Sequence, residues 1–213
     1  DIETGEELPR LRYKETYGSS LAFSPDLKRL LGTVDPYPEN SRVQPALATW
    51  SVGSGERLVI TEAGETSPLY GAWSPDGTRL VSARVGMKSP QIWDAATGEK
   101  LQTLEGHEEM LVAHAAWNPD GTKVASASIT GRLIIWDTET WEALQVIETN
   151  KAKDPDLPVV LGGVEIEGEL RINGRPMFGT WSKLVFEWSP DGTLLASTWE
   201  ETLSIWNPAT GEA

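Results

Sequence analysis

One phrase recurs four times along this chain, and no other feature constrains the fold so tightly. It reads Phe23-Ser24-Pro25-Asp26, Trp73-Ser74-Pro75-Asp76-Gly77, Trp117-Asn118-Pro119-Asp120-Gly121 and Trp188-Ser189-Pro190-Asp191-Gly192. A second Trp answers each phrase downstream: Trp50, Trp93, Trp136 and Trp206. A unit repeated in this way builds a scaffold, so its residues read as structural before they read as chemical.

The second unit shows the pattern most plainly. Tyr70–Trp73 reads as a short strand. In Ser74-Pro75-Asp76-Gly77, Pro presets φ at the second turn position and Gly closes at the fourth, as a type I turn asks. Arg79–Arg84 alternates polar and apolar residues, the pattern of a half-buried strand. Pro90–Asp94 is a third strand, and Ala96-Thr97-Gly98-Glu99 is a hairpin turn with Gly98 free to take positive φ. Lys100–Leu104 is the fourth strand. The same reading places strands at 111–117, 123–128, 132–137 and 142–148 in the third unit. It places them at 19–23, 29–34, 46–50 and 57–62 in the first unit, and at 183–188, 194–199 and 202–206 in the fourth.

The fourth unit lacks an outermost strand, and the N-terminus holds a spare one. Residues Thr4–Leu11 match Thr97–Leu104 position for position, while the chain ends at the turn Thr210-Gly211-Glu212. The two ends together complete a unit, which makes sixteen strands and four sheets. A four-stranded antiparallel sheet cannot bury both its faces alone, so the sheets are expected to stack.

Ile92-Trp93-Asp94, Ile135-Trp136-Asp137, the Thr-Gly-Glu turns and Gly106-His107 resemble WD40 repeats. The resemblance covers nearly the whole chain except 149–182. It implies an all-β fold, a β-propeller built from four-stranded antiparallel blades, with four blades in this chain forming one domain over 1–213. A closed ring, a half-ring that pairs with another, and a fragment of a longer protein all remain open. The family also often buries a His, Ser, Asp and Trp network, its Asp six residues before the Trp. Those positions hold Gln44, Met87, Thr130 and Glu200, none of them Asp. The expectation is therefore that the polar network is absent or rudimentary and that apolar contacts hold the blades. His107 and His114 are expected to be structural.

The 213 residues contain no Cys, which removes disulfides, thiol nucleophiles and thiolate metal sites. No apolar run approaches the ~18 residues of a membrane span. The chain starts Asp1-Ile2-Glu3-Thr4, without an initiator Met or a signal-peptide pattern, as a mature, processed or trimmed chain would. These features fit a reducing, cytoplasmic location. Eighteen basic against 32 acidic residues leave a net charge of −14. Such a surface repels phosphate backbones and attracts basic proteins or cations. Nucleic acid and membrane are not expected partners.

Two insertions leave the same side of the repeat. Residues 35–45 join the second and third strands of one blade, and 149–182 join two blades. In an antiparallel blade these connections emerge on one face, and the short turns emerge on the other. Within the long insertion, 158–161 and 164–172 alternate like strands, and Asn173-Gly174 is a tight-turn signal, so a β-hairpin is expected. Loops of this length in a compact domain are usually functional or disordered. Tyr37, Arg42, Met87, Met177, Phe178 and Trp181 are the candidate partner-binding residues.

Catalytic motifs are missing. No Gly-rich phosphate cradle follows a strand, and two His cannot build a three-His zinc site. Adjacent acids such as Glu108-Glu109 and Glu200-Glu201 could serve acid–base work or bind Ca²⁺, but 32 acidic residues produce such neighbours by chance. The reading is a non-enzymatic interaction or scaffold module, without cofactor, metal or catalytic residue, that docks a protein or peptide on its loop-rich face. The alternatives are a propeller enzyme using carboxylates or a cation at the central channel, and a structural subunit that self-pairs into a larger ring.

Overall fold

The Pro-Asp phrases are turns, and their side chains do as much as their backbones. Ser74 C=O accepts from Gly77 N–H at 2.9 Å, closing the turn. Ser74 Oγ donates to the Asp76 carboxylate at 2.6 Å and accepts from Arg79 N–H at 2.9 Å, so the turn is locked to the strand that follows it. Ser24 and Ser189 repeat this arrangement, and Asn118 Oδ1 accepts from Lys123 N–H in the same place. Gly77, Gly121 and Gly192 adopt φ of +71°, +76° and +71°. Leu27 occupies that position in the first turn at φ +59°.

A computed structural model describes residues 21–34, 46–61, 69–84, 88–107, 112–128, 130–149, 171–172, 175–176, 185–199 and 202–212. The first sheet contains β1 (Leu21–Phe23), β2 (Arg29–Val34), β3 (Ala46–Ser51) and β4 (Arg57–Ile60). The second contains β5 (Leu69–Trp73), β6 (Arg79–Arg84), β7 (Gln91–Asp94) and β8 (Lys100–Thr103). The third contains β9 (Val112–Trp117), β10 (Lys123–Ser128), β11 (Arg132–Asp137) and β12 (Ala143–Glu148). Two short strands, β13 (Arg171–Ile172) and β14 (Arg175–Pro176), pair antiparallel within the long insertion. The last sheet contains β15 (Val185–Trp188), β16 (Leu195–Trp199) and β17 (Thr202–Trp206).

Each large sheet is an antiparallel meander in sequence order, and the last has three strands among the described residues. The architecture is all-β, as the repeat implies. The stretch 4–11, expected to supply a fourth strand beside β17, lies outside the described residues.

Every blade has two different faces. On the indole face of the second blade, Trp73, Leu80 and Trp93 sit in register. They pack on Leu31 and Leu47, which form the aliphatic face of the first blade. Trp117, Val124 and Trp136 of the third blade pack in the same way on Val81, Ala83 and Ile92 of the second. Phe186, Trp188 and Leu195 of the fourth pack on Ala125, Leu133 and Ile135 of the third. The core is thus three repeated seams rather than one centre, each an aromatic surface laid on aliphatic side chains. First strands approach first strands: Tyr70 on β5 meets His114 on β9 edge-to-face at 5.8 Å, and His114 meets Phe186 on β15 at 4.7 Å.

Of the two expectations for the polar network, absent or rudimentary, the structure shows the second. Trp136 Nε1 donates to Ser126 Oγ at 2.8 Å, and the same hydroxyl shares a 2.7 Å hydrogen bond with His107 Nε2. Trp93 donates to Ser82 at 2.9 Å and Trp206 to Ser197 at 2.7 Å. The Ser stands two residues past the partner of each Trp across the sheet, at a spacing that needs no Asp. In the first blade that position is Gly32. The buried network is therefore a Trp–Ser pair in three blades, extended by His107 in the third.

Candidate functional site

The stack divides the connections between two faces. Antiparallel order sends the β1–β2 and β3–β4 turns, and their equivalents, to one face. The β2–β3 connection and the links from blade to blade leave on the other.

The turn face is closed upon itself. Its turn aspartates are engaged: Asp26 is held below the usual carboxylate range by the Ser24 hydroxyl and then the Lys28 N–H. The Thr97 and Ala96 N–H groups do the same for Asp94. Ser189 and Thr193 hold Asp191 down to about 2. These acids order turns, each accepting hydrogen bonds on one carboxylate oxygen. Among the described residues no group of three or more acidic or His side chains is placed to hold a metal ion.

Cross-blade straps reinforce that face. The Arg29 guanidinium donates to Gly77 C=O at 2.6 Å and to Ala95 C=O at 3.2 Å, and lies 4.6 Å from the Trp73 ring centroid. Arg79 reaches the Trp141 ring at 5.4 Å, and Trp117 meets Trp141 edge-to-face at 6.1 Å. Trp141 takes φ +62° where the matching turns have Gly55, Gly98 and Gly211. Sequence reasoning missed this clasp. The one available signal was Trp in a Gly slot, in Thr140-Trp141-Glu142. Beside it runs a groove lined by Lys100, Gln102, Thr103, Glu105 and Trp141, on the outer rim.

The opposite, loop-bearing face rests on a polar floor. Arg132 and Glu148 form an ion pair at 3.5 Å, Thr149 Oγ1 donates to Gly131 C=O at 2.7 Å, and the Ser128 and Thr130 hydroxyls are 2.6 Å apart. Thr61 Oγ1 accepts from Leu47 N–H at 3.1 Å. Beneath lies His107, whose pKa burial and then Arg132 lower to about 4. Burial lowers His114 to about 4 as well. Both rings are neutral at pH 7, so neither is poised to exchange protons there. The first strands β1, β5, β9 and β15 carry one carboxylate among the described residues, Glu187.

The candidate residues Tyr37, Arg42, Met87, Met177, Phe178 and Trp181 all lie outside the described residues. What the structure does place are the residues from which their segments depart: the strand ends Val34 and Ala46 flank 35–45, and Arg84, at the end of β6, and Lys88 flank 85–87. All of these ends lie on the loop-bearing face.

Comparison with protein families finds that residues 98–137 match the model described as WD domain, G-beta repeat. That stretch runs from Gly98 through β8, His107, β9 and β10 to Asp137 at the end of β11. No curated protein matches the chain.

Proposed function

With residues 98–137 a WD40 repeat, and sheets of the same build on either side of it, we propose that this protein is a non-enzymatic interaction module. It docks a protein or peptide on the loop-bearing face. WD40 repeats generally mediate protein–protein interaction or scaffolding, and the geometry supports that reading. One observation carries it: the two faces differ in kind. The turn-face aspartates and the hydroxyls beside them are engaged in local hydrogen bonds, repeated from blade to blade. The other face carries connections of unequal length on strand ends fixed by the stack. Binding groups gather on loops held by rigid scaffolds.

The charge of −14 favours a basic partner, drawn in by long-range attraction that weakens with salt. Binding uses Tyr37, Arg42, Met87, Met177, Phe178 and Trp181, with no cofactor. The test is a five-position variant, replacing Tyr37, Arg42, Met177, Phe178 and Trp181 with Ser, compared with the parent in affinity capture. Loss of the captured partner, with the far-UV spectrum kept, supports the loop face. The same capture from both removes it.

A further inference from the structure

Each blade repeats the same positions, so equivalent side chains can be compared directly. The aromatic residue before each Pro-Asp turn is 8%, 8% and 6% exposed at Trp73, Trp117 and Trp188, but 57% exposed at Phe23. The residue before the third-strand Trp is 0% exposed at Thr49, Ile92 and Ile135, but 53% exposed at Ile205. Both departures fall at the ends of the stack. Phe23, with Leu21 beside it on β1, lies on the first blade's indole face, and no sheet among the described residues packs on that face. Ile205 lies on the fourth blade's aliphatic face, paired across β16 with Ala196 and Glu187. It is the surface type that receives indoles at every internal seam.

We propose that a second copy of this chain closes these ends. The Phe23 corner of one copy seats on the Ile205 face of the other, and the reverse contact forms at the far side. The argument is continuity with the three seams described above: the two ends are the two halves of that seam. Two identical head-to-tail junctions related by a two-fold axis bury both ends in both copies and leave none over. The product holds eight blades, within the range propellers adopt. Glu187 is the one charge on the receiving surface among the described residues, at a position that is Ala22, Ala72 and Ala116 in the other blades. It should weaken the junction. This inference does not rest on the loop-face reading, because it concerns the sides of the end blades.

Mass in solution tests it, by light scattering after size exclusion at tens of micromolar. The expected mass is twice 23.3 kDa. Phe23→Glu and Ile205→Glu place a charge in an apolar seam. Each should weaken pairing at least tenfold, and because both side chains are exposed in the single chain, near-UV spectra should be kept. Mixing the two variants should restore a pair of one copy each, since one junction in that mixture has both natural surfaces. Glu187→Ala should tighten the wild-type pair. A particle of 23.3 kDa at every concentration overturns the proposal. So does a response to Phe23→Glu without one to Ile205→Glu, which describes head-to-head contact, or variants that stay single when mixed.

Discussion

Trp136 is buried together with its one polar atom, and that atom has to be answered. Ser126 answers it, and answers His107 as well, so a small hydroxyl holds two large rings from neighbouring elements. Ser126→Ala leaves the indole N–H and the imidazole without their shared partner, at a cost of roughly 1–3 kcal/mol. Urea unfolding of the variant measures this directly. Truncating Trp93 or Trp136 to Ala should cost more, roughly 3–5 kcal/mol, because a cavity is added to the lost hydrogen bond. The histidines make stability depend on pH. Both have folded pKa values of about 4, depressed from 6.5 by burial. Between those values the unfolded chain takes up protons that the folded chain does not, so stability is full above pH 6.5 and declines as pH falls toward 4. The loss is on the order of 3 kcal/mol per ring. His114→Phe, which keeps a ring between Tyr70 and Phe186, should remove about half of the decline when urea midpoints at pH 7 and pH 5 are compared.

A turn shows its chemistry in four or five consecutive residues, which is why the strands were readable from sequence. Arg79–Arg84, Lys123–Ser128 and Arg132–Asp137 appear where the sequence places them, but Arg79–Arg84 is buried on both faces rather than half-buried, because a blade packs on each side of it. Two turns break the rule in opposite ways. Leu27 sits at φ +59° with its side chain 67% exposed, so it bears backbone strain without packing in return. Leu27→Gly should stabilise the chain by about 0.5 kcal/mol, after allowing for the extra freedom glycine adds to the unfolded state. Trp141 bears the same strain, offset by Arg79 and Trp117. An aromatic pair and a cation–π contact together exceed the relief of strain, so Trp141→Gly should destabilise by about 1 kcal/mol. Thermal midpoints of the two variants should move in opposite directions. Trp141 was not readable because its partners lie 62 and 24 residues away in sequence. The Trp–Ser pairs were missed for a related reason. The family's Asp position lies six residues before the Trp, while the acceptor stands on the neighbouring strand.

Across the whole molecule, three seams repeat one joint, and the fold was visible in sequence because that joint recurs. The working surface was less visible. It depends on connections that do not repeat, such as 35–45 and 149–182, so periodicity constrains where they emerge and nothing more. Tyr37, Arg42, Met87, Met177, Phe178 and Trp181 therefore stand as a proposal drawn from topology. Charge acts at this scale too. Two copies of a chain of charge −14 repel, so pairing between copies should strengthen as salt rises from about 0.05 to 0.5 M. Capture of a basic partner should weaken over the same range, which separates the two associations in one titration. The most direct test of the account is amide hydrogen exchange on the chain with and without its captured partner. The account predicts new protection in 35–45, 85–87 and the connection after β12, with the Pro-Asp turns unchanged. Protection confined to the turns at 74–78, 118–122 and 189–193 would contradict it.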